Sequence, residues 1–182
     1  MICCVTGHRS KGFPFPRIDT DFLYIEYMNV LSLEIERLIR EGYRDFISGM
    51  AEGADIDFAD EVLNFQREEG NITLEAALPY PISSPQRTTA YSEQRDLILM
   101  ECTRKTIVSP YYRKGCMQKR NRYMVDKSDI VLAIWNGEFR GGTWDTIKYA
   151  RSKGKPIRYI MLNDMKQLLA SDLERYILLY KK

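Results

Sequence analysis

The chain alternates between two hydrophobic periodicities along its length, and this limits its fold more than any single residue does. Short apolar runs recur at residues 2–6 (ICCVT), 43–48 (YRDFIS), 72–79 (ITLEAALP), 105–109 (KTIVS), 129–135 (DIVLAIW) and 156–162 (PIRYIML). Such runs, bounded by Gly, Pro, Asn or Ser, read as strands. DIVLAIW is almost wholly apolar, as expected of a parallel strand buried on both faces. Between the strands the spacing changes to three and four. From Asp19, the residues Leu23, Tyr27, Val30, Leu31, Ile35, Leu38 and Ile39 predict a helix ending near Gly42. Ala54, Phe58, Ala59, Val62, Leu63 and Phe65 predict a second, which Gly70-Asn71 ends. Further helices are expected over residues 84–101, over CMQKRNRYMVDKS and over WDTIKYARSKG. Strands alternating with helices argue an α/β domain with a parallel sheet and helices on both faces.

With 182 residues the chain suits one domain, expected over residues 1–165, and a C-terminal helical appendage over residues 166–182 carrying Leu168, Leu169, Leu173, Ile177 and Leu178. The 45% hydrophobic and 29% charged composition is globular rather than disordered. A net charge of only +2 argues against nucleic acid as the partner. Cys3, Cys4, Cys102 and Cys116 form no CxxC pair, and with His8 as the sole histidine they make no zinc set, so no metal is expected. Reduced thiols, the lack of a signal peptide and the lack of a run of roughly 18 apolar residues point to a cytoplasmic protein with no membrane partner. Homo-oligomerisation is left open.

In open parallel sheets, ligands bind beyond the carboxyl ends of the strands. Four loops fall there: TGHR, SGMAEGAD, SPYYRKG and NGEFRGGT. In the second, Gly49 is expected to take a positive φ and bring backbone close to a ligand, while the following helix offers amide hydrogens and a positive dipole end to an anion. The plain alternative is a tight turn with Asp55 as a first-turn charge. In the last loop Gly141 and Gly142 remove side-chain bulk, Thr143 is placed to cap a helix or bind phosphate, and Arg140 adds charge. Arg9 offers forked donors, and His8 titrates near neutrality. Arg113, Lys114, Lys119, Arg120, Arg122 and Lys127 are interleaved with Tyr111, Tyr112 and Tyr123, a pattern that suits a solvated face or a base-stacking surface. No GxSxG, Walker A or HExxH is present. Glu52, Asp55 and Asp145 are the loop carboxylates that could act as a general base.

TGHR, SGMAEGADIDFADEVL and YYRKGCMQKRNRYMVDKSDIVLAIWNGEFRGGTWDTIKYA together resemble the YpsA-type branch of the SLOG superfamily over roughly residues 1–160. The resemblance implies a Rossmann-like three-layer sandwich with a mainly parallel sheet, related to DprA and to the LOG phosphoribohydrolases. It implies a nucleotide or ADP-ribose-like ligand, without a bound cofactor. The family's ligand loops fall on Thr6, Gly7, His8 and Arg9, on Ser48, Gly49 and residues 52–55 including Gly53, on Gln118, Lys119, Arg120 and Asn121, and on Gly141, Gly142 and Thr143. LOG hydrolases resemble one another through a PGGxGTxxE stretch, where this chain has FRGGTWDT. N-glycosidic hydrolysis of a nucleoside monophosphate and single-stranded DNA binding, the latter through fold alone, therefore stand as alternatives to a ligand-sensing role.

Overall fold

A strand with apolar side chains on both faces needs helices above and below it. The computed structural model describes residues 1–81 and 89–165, and in them the chain builds that arrangement. Strands β1 (Ile2–Gly7), β2 (Asp45–Ser48), β3 (Thr73–Leu78), β4 (Arg104–Ile107), β5 (Ile130–Trp135) and β6 (Ile157–Met161) form one sheet in the order β4-β3-β2-β1-β5-β6. Every pairing is parallel. Helices α1 (Phe22–Arg40), α2 (Ala54–Glu69), α3 (Ala90–Glu101), α4 (Cys116–Lys127) and α5 (Gly141–Ser152) connect the strands. This is an α/β three-layer sandwich of the Rossmann-like kind. No helix of the described residues is long and apolar enough to cross a membrane.

Period-two alternation sorts the strand residues onto two cores. Cys3, Val5, Phe46, Leu74 and Leu132 face α1, α2 and α3 in the larger core. Cys4, Ile47, Ala77 and Val131 face α4 and α5. All six residues of β5 are buried, as its unbroken apolar run predicts. The outer strand β4 is mostly exposed and carries Arg104 and Lys105, charges that blunt an open sheet edge.

Element ends lie within about two residues of expectation except in three places. Helix α1 starts at Phe22 rather than Asp19, because the Asp21 carboxylate accepts from the amides of Leu23 and Tyr24 and fixes the start there. Helix α3 starts at Ala90, where Thr89 and Ser92 form a reciprocal capping box; the earlier start expected at residue 84 lies outside the described residues. Helix α5 takes Gly141, Gly142 and Thr143 into its first turn instead of leaving them in the loop. The expected helix over 166–182 also lies outside the described residues.

A buried carboxylate ties down the loop after β1. Asp57, in the first turn of α2, is almost inaccessible and is paired with Arg17. Tyr24 and Tyr27 of α1 both donate to the same carboxylate at 3.2 Å. Arg17 also donates to Ser10 at 2.9 Å and lies over the ring of Phe13. Four donors thus converge on one carboxylate and hold loop residues 8–17 against α1 and α2. Truncating one partner of such a buried pair costs about 3–5 kcal/mol. Asp57→Ala is therefore expected to lower stability by about that much in urea unfolding. A loss below about 0.5 kcal/mol would mean that the network does not anchor the loop.

Candidate ligand-binding site

The strand order reverses at β1, which has β2 on one side and β5 on the other. Doubly wound sheets open a crevice at such a switch point, beyond the carboxyl ends of the two strands. Here the crevice is a cavity of about 300 Å³, lined by Thr6 and Gly7 at the end of β1 and His8 and Arg9 after it, by Asp55 of α2 and Arg120 of α4, and by Gly142 and Thr143 of α5. A second cavity of about 170 Å³ adjoins it and shares Arg9, Ala51, Met117 and Arg120. A third, of about 420 Å³, runs between α4 and α5 and shares Asn121 and Gly142. The first two sit side by side at the carboxyl edge of the sheet, and the third continues from Gly142 down the groove between α4 and α5 as far as Ser152.

Arg120 forms the floor between the first two cavities. It is 5% exposed, and its Nε and Nη1 have no hydrogen-bond partner among the described residues. Its only ion pair among the described residues is with Asp55, at 3.5 Å, close enough for charge attraction but outside good hydrogen-bond geometry. Burial holds the guanidinium below its ordinary range, partly offset by Asp55. Burial likewise pushes the Asp55 carboxyl up, offset by Arg120 and by the Ala51 amide, which donates to it at 3.3 Å. Both shifts record a charged pair removed from water and incompletely satisfied. A buried cation in that condition favours an anion that can accept from its free nitrogens.

The start of α5 is open on the same cavity. Arg140 occupies its cap position without a side-chain cap, and Gly142 lines the cavity with nothing within 4 Å of where a Cβ would stand. The first-turn amides therefore face an accessible space. Thr143 is not a cap. Its hydroxyl donates to the Gly7 carbonyl at 2.8 Å, which pins α5 to the end of β1.

The start of α2 is closed. The Ala54 amide donates to the His8 carbonyl at 3.0 Å. Gly53 has φ 99°, and a Cβ there would stand 2.4 Å from that carbonyl and 2.8 Å from Cα of Arg9. Gly49 does not take the positive φ expected of it; the left-handed residue of the turn is Met50, at φ 57°. What demands glycine at 49 is Arg120, since a Cβ would stand 1.6 Å from its Nη1. Gly7 is likewise a packing glycine, with Cβ of Ala54 2.3 Å from where its own would be. Ser48 is fully buried and holds the turn, donating to the Asp55 carbonyl at 2.7 Å and accepting from the Met50 amide at 3.1 Å.

The remaining candidates divide. His8 is half-buried in the main cavity, its Nε2 without a partner among the described residues, and burial lowers its pKa despite Glu138 and Asn136 nearby. Asn121 donates to Thr146 at 2.8 Å between two of the cavities. Glu52 lines the small cavity, while Gln118 lines the space between α4 and α5. Asp145 also lies there, exposed and paired with Lys148 at 2.9 Å. Arg140 stands away from the described cavities and pairs with Glu138 at 2.9 Å. Lys119 lies on the far side of α4 beside Lys114 and Arg113. Tyr123 donates to Glu75 at 2.5 Å in a separate groove over the sheet, Tyr112 packs edge-on against Tyr80, and Tyr111 lies beneath Arg113.

Several residues of the small cavity, among them Tyr80, Tyr91 and Met117, were not singled out from the sequence. Tyr91 donates to the Met50 carbonyl at 2.8 Å, and Met117 and Tyr80 complete an apolar wall. The burial of Arg120 had a signal in the sequence that the solvated-face reading of this stretch passed over. Cys116, Arg120 and Met124 recur at a spacing of four, so the arginine falls on the buried stripe of α4.

A family model, that of YpsA, described as the YspA SLOG family, matches residues 3–177. A curated relative, the UPF0398 protein of Bacillus pumilus (strain SAFR-032), is 26% identical over 176 residues, which is 94% of each chain.

The Gly49–Arg120 contact predicts a compensating pair. Gly49→Ala is expected to destabilise by about 1–3 kcal/mol through overpacking on the guanidinium. In the Arg120→Met background the same substitution should cost about 1 kcal/mol less, read as the coupling term of a double-mutant cycle in urea. Strict additivity would show that the guanidinium does not occupy the space over Gly49.

Proposed function

The chain belongs to the YspA SLOG family, and from that premise we propose that it is a cytoplasmic sensor that binds an ADP-ribose-like nucleotide derivative in the cavities at the switch point. The observation that carries the reading is the buried, half-satisfied guanidinium of Arg120, set beside the uncapped start of α5 on one cavity. Backbone amides at a helix start and a desolvated arginine are complementary to phosphate oxygens. Arg9, exposed at the mouth, supplies a second cation. The apolar wall of Tyr80, Tyr91 and Met117 offers a face to a base or ribose. A bridging diphosphate fits this spread of donors better than a single phosphate does. The compartment is supported by four free thiols, three of them buried.

A catalytic reading has one observation in its favour. Asp55 is a carboxylate raised by burial at the edge of the cavity, the condition of a group suited to proton transfer. Its partner Arg120 opposes that role by favouring the ionised form. Incubation with AMP, CMP and NAD separates the readings: free base appearing in proportion to enzyme would establish N-glycosidic cleavage, and ligand binding without release would establish the sensor.

Thermal shift with ADP-ribose, AMP and adenosine tests binding itself. At about 100 times its Kd, a ligand specific to the folded form adds about 2.7 kcal/mol. ADP-ribose is expected to raise the melting temperature most and adenosine least. Gly142→Val fills the mouth of α5 without meeting a protein atom, so it should keep the unliganded melting temperature and lose the shift. An unchanged shift would contradict placement of the phosphates there.

The pH dependence follows from His8, whose burial favours the neutral ring in the free protein. A nearby diphosphate favours the imidazolium, so binding takes up a proton and affinity rises as pH falls through the range where the liganded ring becomes protonated. The diphosphate of ADP-ribose keeps its charge across that window. Calorimetric titration at several pH values should show this rise, and His8→Ala should abolish it. A pH-independent Kd for the parent protein would place the anion away from His8.

A further inference from the structure

Helix α3 keeps an arginine on the side it turns toward the protein. Its buried residues are Ser92, Arg95 and Ile98, and the spacing of three makes them one stripe. Arg95 is 7% exposed, a depth that arginine reaches only when it is paired. Its one ion-pair partner among the described residues is Asp96, the next residue in the chain, which is itself half-exposed. Nε and Nη2 both donate to the same Asp96 oxygen, at 3.0 and 2.8 Å, so Nη1 takes no part in the pair. The guanidinium lies over the ring of Tyr91, with its carbon 5.6 Å from the ring centre.

Arg95 lines the small cavity of about 170 Å³ together with Arg9 and Arg120. Three guanidinium groups thus reach one space from the loop after β1, from α3 and from α4. Glu52 is the only carboxylate lining it among the described residues. The charges feel one another. Burial lowers the Arg120 guanidinium, Asp55 opposes this, and Arg9 lowers it further by like-charge repulsion. Burial raises the Tyr91 phenol, and Arg95 and Arg9 both draw it back. Buried cations in excess of carboxylates are costly unless an anion joins them. Arg120, nine-tenths buried with Nε and Nη1 unpartnered among the described residues, has donors free for that anion.

The shape of the cavity narrows the class of anion. Three cations match the dianionic charge and three terminal oxygens of a phosphomonoester better than they match a carboxylate. The other walls, Tyr80, Tyr91 and Met117, suit the carbon frame of a sugar. The volume lies below the roughly 300–1,000 Å³ of pockets that take a whole drug-sized ligand, so a sugar phosphate fills it and a complete nucleotide does not.

We propose that the small cavity is a phosphomonoester subsite, in which Arg95, Arg9 and Arg120 hold the phosphate of a phosphorylated ribose. The ligand is then a nucleotide derivative with its diphosphate in the main cavity and a phosphomonoester on one ribose. That second statement rests on the binding reading above; the subsite itself does not.

Calorimetry with ADP-ribose, 2′-phospho-ADP-ribose and ribose 5-phosphate tests both. The phosphorylated derivative is expected to bind at least about tenfold more tightly than ADP-ribose, the scale of a charge-assisted contact. Arg95→Met should bring the ratio of the two affinities to about one. Arg9→Gln, at an exposed position where substitution spares folding, should reduce the same ratio and carries the test if Arg95→Met does not fold. Ribose 5-phosphate should bind the parent protein weakly, within about 10 millimolar, and Arg95→Met measurably less. ADP-ribose binding with a ratio near one in the parent protein would overturn the inference and leave the binding reading standing. Ribose 5-phosphate binding that depends on Arg95, with neither ADP-ribose compound bound, would keep the subsite and overturn that reading. No binding of any of the three, or a ratio that both variants leave unchanged, would overturn the subsite.

Discussion

A guanidinium buried against a carboxylate that satisfies only part of it is the constraint around which this end of the molecule is arranged. Arg120 reaches from α4 under the turn after β2, and three features follow from its presence. Residue 49 is a glycine because the guanidinium occupies the space a side chain would need. Asp55 is kept at the start of α2, inside the protein, because it is the guanidinium's only anionic partner among the described residues. The two cavities on either side of Arg120 share it as a common wall. A well-packed apolar residue would be cheaper in stability than such a pair. Its retention is accounted for if an anion completes the coordination.

Two helix starts looked equivalent in the sequence and have different duties. The start of α2 is held by protein, through the Ala54 amide on the His8 carbonyl and through Gly53 against the same backbone. It sets the path of the loop that carries His8 and Arg9. The start of α5 is tied to β1 only through the Thr143 hydroxyl, and its glycine pair stands clear of other atoms. One entrance positions the site and the other faces it. The Asp57 network does related work from below, fixing the outer part of the same loop to α1 and α2.

The layer order was legible because parallel sheets impose it: β5 is apolar at every position and buried at every position. The location of the cavity that forms the candidate site was legible for a topological reason, since the loops after β1 and β5 meet where the strand order reverses. The duties of the glycines were not. Glycine is required both by a positive φ and by a close neighbour, and the letter is the same in the two cases. Gly7 and Gly49 proved to be the second kind, since a Cβ at either would stand within 2.5 Å of an atom from a distant part of the chain. Such contacts have no local signature. The beginning of α5 was misplaced for a comparable reason, because a Gly-Gly pair has low helix propensity and a tertiary tie to Gly7 overrides it. Arg120 was visible as one basic residue in a basic stretch, and only its place on the buried stripe of α4 sets it apart from Lys119 and Arg122.

The central claim is that Arg120 is an anion receptor, and its side-chain signal in a nitrogen–proton correlation spectrum reads that directly. A buried guanidinium gives a protected Nε–H resonance, assigned here by its loss in Arg120→Met. Titration with ADP-ribose is expected to move that resonance in proportion to occupancy, and adenosine at equal concentration is expected to leave it in place. A resonance unmoved by ADP-ribose at concentrations that saturate binding would contradict the account.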